Sequence, residues 1–299
     1  MSADDQRRLL GVALIDAQTI VAVGDGALMR SDDAGVSWTD YELAELQPRT
    51  LDAVAFADAS HGIAVGWTYF VSGQQTPSPH PVSMITSDGG VTWTGPTFPW
   101  EDYSFSLRTI CMTALGTALT GGFAYSGGLV ALSHDFGATW QPVAADPEHF
   151  VAPIGATCLE SGDLWGVGGP ALIHSPDNGQ TWAFPSLPDD SLLLVDISFV
   201  DATRGFVTGG DAILSTVDGG DSWTRESHPY AGEVSTNLDA ITAAGATVLV
   251  GGWRATAAGR VGVILVRVLT HEGRDHDWIE ADLPPGTETI SDVALTPPS

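Results

Sequence analysis

Lysine is absent from this chain of 299 residues, and all 11 basic side chains are arginine. They face 37 acidic side chains, for a formal net charge of −26. Without lysine there is no Schiff-base chemistry and no phosphate-binding P-loop. So acidic a chain is repelled by phosphate backbones and by anionic lipid surfaces, which excludes nucleic acid as a partner. The charge suits a solvated surface, and also a high-salt medium in which screening relieves self-repulsion. No apolar run reaches the ~18 residues that span a bilayer, so membrane insertion is not expected. Leu9–Ile15, after Arg7 and Arg8, is too short for a signal peptide, and the compartment stays unassigned.

Cysteine is nearly absent too. Cys111 and Cys158 cannot make a disulfide framework and read as two buried small side chains, with one disulfide between neighbouring repeats as the alternative. The eight histidines are scattered with no HExxH spacing, and His271 and His276 fall in what reads as a solvated loop, so no metal is expected. There is no Gly-x-Ser-x-Gly elbow, no Cys/His nucleophile arrangement and no cofactor motif.

What is present is a repeat. SDDAGVSW (31–38), TSDGGVTW (86–93), SHDFGATW (133–140), SPDNGQTW (175–182) and TVDGGDSW (216–223) share the pattern Ser/Thr-x-Asp-x-Gly-x-Ser/Thr-Trp. HEGRDHDW, ending at Trp278, keeps the Trp but not the Asp or Gly. The Trp residues stand 55, 47, 42, 41 and 55 positions apart. A period near 40–50 residues with four short strands per unit indicates a β-propeller. First strands begin at Leu51, Leu107, Pro153, Leu194 and Leu238. Second strands end at Gly24, Gly66, Gly122, Gly168, Gly209 and Gly251, where glycine is expected to serve a tight turn.

The expected fold is all-β: one propeller of six four-stranded blades, at about 5–45, 46–101, 102–146, 147–190, 191–234 and 235–285. Residues 286–299 supply a C-terminal closing strand. TISDVALT (289–296) resembles another first strand, so seven blades with an incomplete last one is the alternative.

The octapeptide resembles the Asp-box, or BNR repeat, of sialidases, other glycoside hydrolases, sortilin-type receptors and the photosystem II assembly-factor (Ycf48-like) propellers. Its spacing and the Leu-Asp-x-Val-x-Phe strand starts are most similar to the last group. That resemblance implies a scaffold that binds protein, through an arginine patch. The box residues (Asp33 and Trp38, Asp88 and Trp93, Asp135 and Trp140, Asp177 and Trp182, Asp218 and Trp223) are read as structural. The Asp accepts turn N–H groups, Gly takes positive φ, and Trp packs between sheets.

Function is expected on the face opposite the boxes, which receives the long insertions 67–81, 95–106, 142–152, 226–237 and 253–261. Its aromatics, including Trp67, Tyr69, Trp100, Tyr103, Tyr230 and Trp253, suit a protein or a glycan partner. Asp52, Arg108, Asp196, Asp239 and Asp292 lie near first-strand starts at the channel mouth, and Asp52 and Asp196 differ in register by one, so they are expected to face opposite ways. Arg7, Arg8, Arg254, Arg260, Arg267 and Arg274 would form a basic seam if the ring closes.

Two enzyme readings are open to the sequence. A sialidase would need an arginine triad, for which Arg108, Arg254 and Arg260 are available, and a Tyr–Glu pair such as Tyr230 with Glu226 or Glu233; the Arg-Ile-Pro motif is missing. Another glycoside hydrolase would draw two carboxylates from Glu101, Asp102, Asp52 and Asp239. The sequence favours a monomeric, non-catalytic binding or assembly scaffold over a glycoside hydrolase or carbohydrate-binding propeller.

Overall fold

The computed structural model describes residues 7–41, 49–70, 78–95, 98, 104–124, 127–143, 152–188, 192–233, 235–270 and 277–295; of positions 69, 70, 78 and 124 it describes the backbone alone. No helix occurs among them, and the strands form six antiparallel sheets. Blade 1 runs Leu9–Leu14, Ile20–Gly24, Ala27–Ser31 and Thr39–Asp40. Blade 2 has Arg49–Phe56, Gly62–Phe70 and Ser78–Thr86, and its fourth strand is reduced to the bridge between Ile85 and Thr94. Blade 3 is Phe105–Met112, Ala118–Ala124, Gly127–Ser133 and Gln141–Pro142. Blade 4 is Gly155–Cys158, Leu164–Gly168 and Ala171–Ser175, with a fourth strand reduced to the bridge between His174 and Ala183. Blade 5 is Asp196–Phe199, Gly205–Gly209, Ala212–Thr216 and Thr224–Arg225. Blade 6 is Thr236–Ala244, Thr247–Thr256, Gly259–Val268 and Ile279–Glu280.

The octapeptide folds on itself. In its first copy Ser31 Oγ and Ser37 N–H both donate to Asp33 Oδ1, at 2.9 and 2.7 Å, and Ser37 Oγ donates to Asp33 Oδ2 at 2.6 Å. The same three bonds recur around Asp88, Asp135, Asp177 and Asp218. Both carboxylate oxygens are thus spent on the turn. The two residues after each Asp adopt positive φ, so Ala34, Phe136 and Asn178 occupy a region that disfavours a side chain. Each box also donates one N–H to the first hairpin of its blade, for example Ala34 to Gln18 O and Asn178 to Gly162 O, both at 2.8 Å.

Trp93, Trp140, Trp223 and Trp278 are buried, and each packs in a core cluster that includes residues of the preceding blade. Trp182 is half-buried in the equivalent place between blades 3 and 4. Emptying one wedge, for instance Leu194→Ala at 0% exposure, costs about 2–5 kcal/mol.

Four sequence expectations need correction. Cys111 and Cys158 form a disulfide that ties the first strands of blades 3 and 4. The two half-cystines stand 47 residues apart, and ring order makes them neighbours. The recurring glycines serve close approach and not a turn: a Cβ on Gly24, Gly66, Gly122, Gly168 or Gly209 would lie 1.9–2.2 Å from a carbonyl oxygen at or shortly before the start of the first strand, that of Arg8, Thr50, Ser106, Ala152 or Leu193. In blade 6 that position is Gly252, not Gly251. The insertions at 67–81 and 253–261 are in part strand, because the second and third strands of blades 2 and 6 pair out to Phe70–Ser78 and Thr256–Gly259. Finally, residues 289–295 form no strand ladder, though they run between blades 6 and 1.

Candidate functional site

The first strand of a blade lines the axis, and four of the six begin with a β-bulge: Leu9/Gly11, Leu51/Ala53, Leu107/Thr109 and Leu238/Ala240. A bulge turns consecutive residues toward the same side. Leu10, Asp52, Arg108 and Asp239 are the extra residues, and with Asp196 and Asp292 they line one central cavity of about 240 Å³. Asp52 and Asp196 therefore share the cavity despite their registers, contrary to simple alternation.

These carboxylates already have partners. Arg108 Nη1 donates to Asp52 Oδ1 at 2.9 Å, with Asp52 only 10% exposed. Burial pushes the Asp52 carboxyl up to about 6, against the pull of Arg108. Asp196 accepts the N–H of Ile241 in the next blade at 2.8 Å, and burial raises it to about 7, with Asp292 adding repulsion. Asp292 is raised to about 6 by burial in the crowded wall, while it accepts the N–H of Val12 at 2.9 Å. Asp239 is raised by burial, opposed by the Trp253 indole, Arg260 and Asn237. Among the described residues no three His, Cys, Asp or Glu side chains stand close enough to hold a metal ion.

The cavity opens beneath two similar platforms. Trp67 directly follows Gly66 and Trp253 directly follows Gly252, each paired with the residue before the Leu-Asp-Ala start, Thr50 or Asn237. Arg108 lies over the Trp67 ring at 5.9 Å, and Arg260 over the Trp253 ring at 4.1 Å. Each platform thus sets a carboxylate, an indole and a guanidinium together, an arrangement the repeated Leu-Asp-Ala and Gly-Trp pairs signal only in part. Blade 1 adds an acidic group: Asp25 accepts from Thr50 Oγ1 at 3.0 Å.

Other anticipated residues stand elsewhere. Tyr230 is buried between blades 5 and 6, with Arg254 over its ring at 5.4 Å. Burial and a hydrogen bond to Glu280 push its hydroxyl up to about 12, the opposite of an activated nucleophile, and Glu226 is engaged by Arg267 at 2.8 Å. Arg7 pairs with Asp40 at 2.9 Å, so the basic seam is partly neutralised. Trp100, Glu101, Asp102, Tyr103 and Arg274 lie outside the described residues, as does the side chain of Tyr69.

No family model matches the chain, and no curated protein matches it. Solved structures do. YCF48 bound to D1 peptide is 18% identical with a TM-score of 0.52, covering 90% of this chain and 96% of that one. The GH74 xyloglucanase from Xanthomonas campestris is 16% identical with a TM-score of 0.63, covering 92% of this chain and 45% of the enzyme. The WD40 repeats of RRP9 are 8% identical with a TM-score of 0.69, covering 96% of this chain and 83% of that one. At these identities the likeness is one of fold: the chain is a six-bladed β-propeller similar in architecture to YCF48, to WD40 propellers and to a propeller of a glycoside hydrolase.

Proposed function

We propose that the chain is a non-catalytic binding or assembly propeller that docks a protein partner across the loop face around the central cavity. The observation that carries this reading is the repeated platform of Arg108 over Trp67 and Arg260 over Trp253. Aromatic and arginine side chains in fixed stacks lose little freedom on binding and are the usual anchors of interfaces. The guanidiniums are a local attraction for acidic segments on an otherwise negative body. The YCF48 neighbour, solved with a bound peptide, lends support. The protein acts as a monomer, and a glycan is the other class of occupant the indoles suit. The test is capture from native extract with the double variant Trp67→Ala/Trp253→Ala, beside a Ser37→Ala control. Loss of a specific partner in the double variant alone supports the reading; equal capture by all three proteins overturns it.

A glycoside hydrolase is the second reading, favoured by one observation: Asp52, raised to about 6, shares a cavity with Asp239, which burial also raises, and such a group can stay protonated as a general acid. Asp52 and Asp239, with Glu101 and Asp102, are its catalytic candidates. Sugar release from a panel of polysaccharides and sialosides, at low and high salt, tests it. Release that Asp52→Asn or Asp239→Asn abolishes would install this reading in place of the first.

A further inference from the structure

Residues 226–235, which link blade 5 to blade 6 on the loop face, are fastened to the turn between the second and third strands of blade 5. Asp211 in that turn accepts three hydrogen bonds. Its backbone oxygen takes one from His228 Nε2 at 3.0 Å, and its Oδ2 takes the others from Gly232 N–H at 2.7 Å and Arg225 Nη2 at 3.0 Å. The second ring nitrogen of His228, Nδ1, accepts Tyr230 N–H at 3.3 Å. A carbonyl oxygen only accepts and a backbone N–H only donates. The His228 imidazole is therefore neutral, with its proton on Nε2. Ala231 N–H and Glu233 N–H then close the loop on His228 O and Tyr230 O, at 3.1 and 3.0 Å.

This fastening sets Tyr230 in a slot. Its ring lies in the core between blades 5 and 6, beneath the Arg254 guanidinium, and its hydroxyl reaches Glu280. The slot leaves polar groups unsatisfied. Thr236 Oγ1, in a residue only 4% exposed, and Arg254 Nε are both buried without a hydrogen-bond partner. Thr236 and Arg254 stand opposite each other in the pairing of the first two strands of blade 6. Buried polar atoms of this kind favour an arrangement that admits water. Of residues 227–233 only His228 and Tyr230 are buried, so the segment has little else to lose by lifting.

We propose that residues 226–235 form an acid-released latch: a proton taken up at His228 Nδ1 expels Tyr230 N–H, lifts Tyr230 from its slot and uncovers Arg254 on the loop face. The added proton would set two N–H groups against each other. Burial opposes the charge and holds His228 below its ordinary value of 6.5. Asp211 and Glu226 favour the charge and Arg225 opposes it. The other charged groups around the slot are Arg254, Glu233 and Glu280 beside Tyr230, and Arg267, which engages Glu226 at 2.8 Å. The closed loop binds fewer protons than the open one. Closure is therefore firmest above about pH 6.5 and weakens as pH falls below it. Arg254 directly follows Trp253, so opening adds a guanidinium beside that platform; this bearing on partner docking rests on the reading above.

Hydrogen exchange of the whole protein tests the latch with no partner present, so its outcome is separate from that of the docking reading. Protection of Tyr230 N–H and Gly232 N–H, taken relative to the unstructured rate at each pH, should fall about tenfold from pH 7.5 to pH 5. Protection of Val207 N–H, in the buried second strand of blade 5, should not change and reports that the fold is intact. His228→Gln can make both bonds, its amide N–H donating to Asp211 O and its amide oxygen accepting Tyr230 N–H, and it takes up no proton. Protection in that variant should be the same at both pH values. His228→Ala removes both bonds, and the loop should exchange fast at both. Equal protection of the unaltered protein at the two pH values overturns the proposal. So does a fall that His228→Gln retains, because Asp211, Glu226 or Glu233 would then be the titrating group.

Discussion

Arg108 donates from Nη1 to Asp52 Oδ1 across the boundary between blades 3 and 2, at 2.9 Å. The pair ties two blades at the axis and holds the Trp67 platform in place. Arg108→Leu should leave Asp52 without its opposing charge and move the carboxyl further above about 6. The variant should therefore lose more stability at pH 8 than at pH 5, as read from urea unfolding at both. An equal loss at the two pH values would detach Asp52 from Arg108.

Stability should peak near pH 4–5. Asp52 and Asp292, raised to about 6, and Asp196, raised to about 7, keep protons in the folded chain that the unfolded chain has released. Between roughly pH 4 and 7 the folded state binds more protons, so stability falls as pH rises through that window. The box carboxylates act oppositely. Hydrogen bonds from Thr92 and Ser222 hold Asp88 and Asp218 down to about 2, and Asp33, Asp135 and Asp177 are lowered as well. Their contribution is present above about pH 4 and is lost as pH falls toward 2. Asp196→Asn should flatten the upper limb alone. A profile that rises steadily from pH 4 to 8 would contradict this assignment.

Reduction of the Cys111–Cys158 disulfide should destabilise the protein by up to about 4 kcal/mol, the chain-entropy value for closing a 47-residue loop. The comparison is urea unfolding with and without reductant, against a Cys111→Ser/Cys158→Ser control that reductant leaves unchanged.

Two glycine exchanges should have opposite signs. Gly66→Ala places a Cβ about 2.0 Å from Thr50 O, which backbone movement must relieve, so a loss of roughly 2–4 kcal/mol is expected. Ala34→Gly removes a side chain from positive φ and should add up to about 1 kcal/mol. Thermal unfolding of both variants reads the two shifts.

The repeat, the strand starts and the turn chemistry of the boxes were legible because they are local: eight residues carry all the partners of Asp33. The cavity was legible in part, since the carboxylates could be named but their facing could not. A bulge such as Leu51/Ala53 breaks the two-residue alternation from which facing is read. Apart from the box tryptophans, contacts between blades were not settled by any signal along the chain. Cys111 meets Cys158 through ring order, and Tyr230 is buried because its loop folds back, with Gly232 N–H bound to Asp211 at 2.7 Å. The stacking of Arg108 on Trp67 crosses a blade boundary in the same way.

The most direct test of a protein-binding loop face is carboxyl footprinting, which a chain with no lysine and 37 acidic side chains suits well. The protein would be labelled alone and with its captured partner. Asp25 and Glu233 are exposed on the loop face; Asp32, Asp58 and Asp221 are exposed on the Asp-box face. The account predicts that the partner protects Asp25 and Glu233 and leaves the other three labelled. Protection of Asp32, Asp58 and Asp221, with Asp25 and Glu233 still labelled, would contradict it.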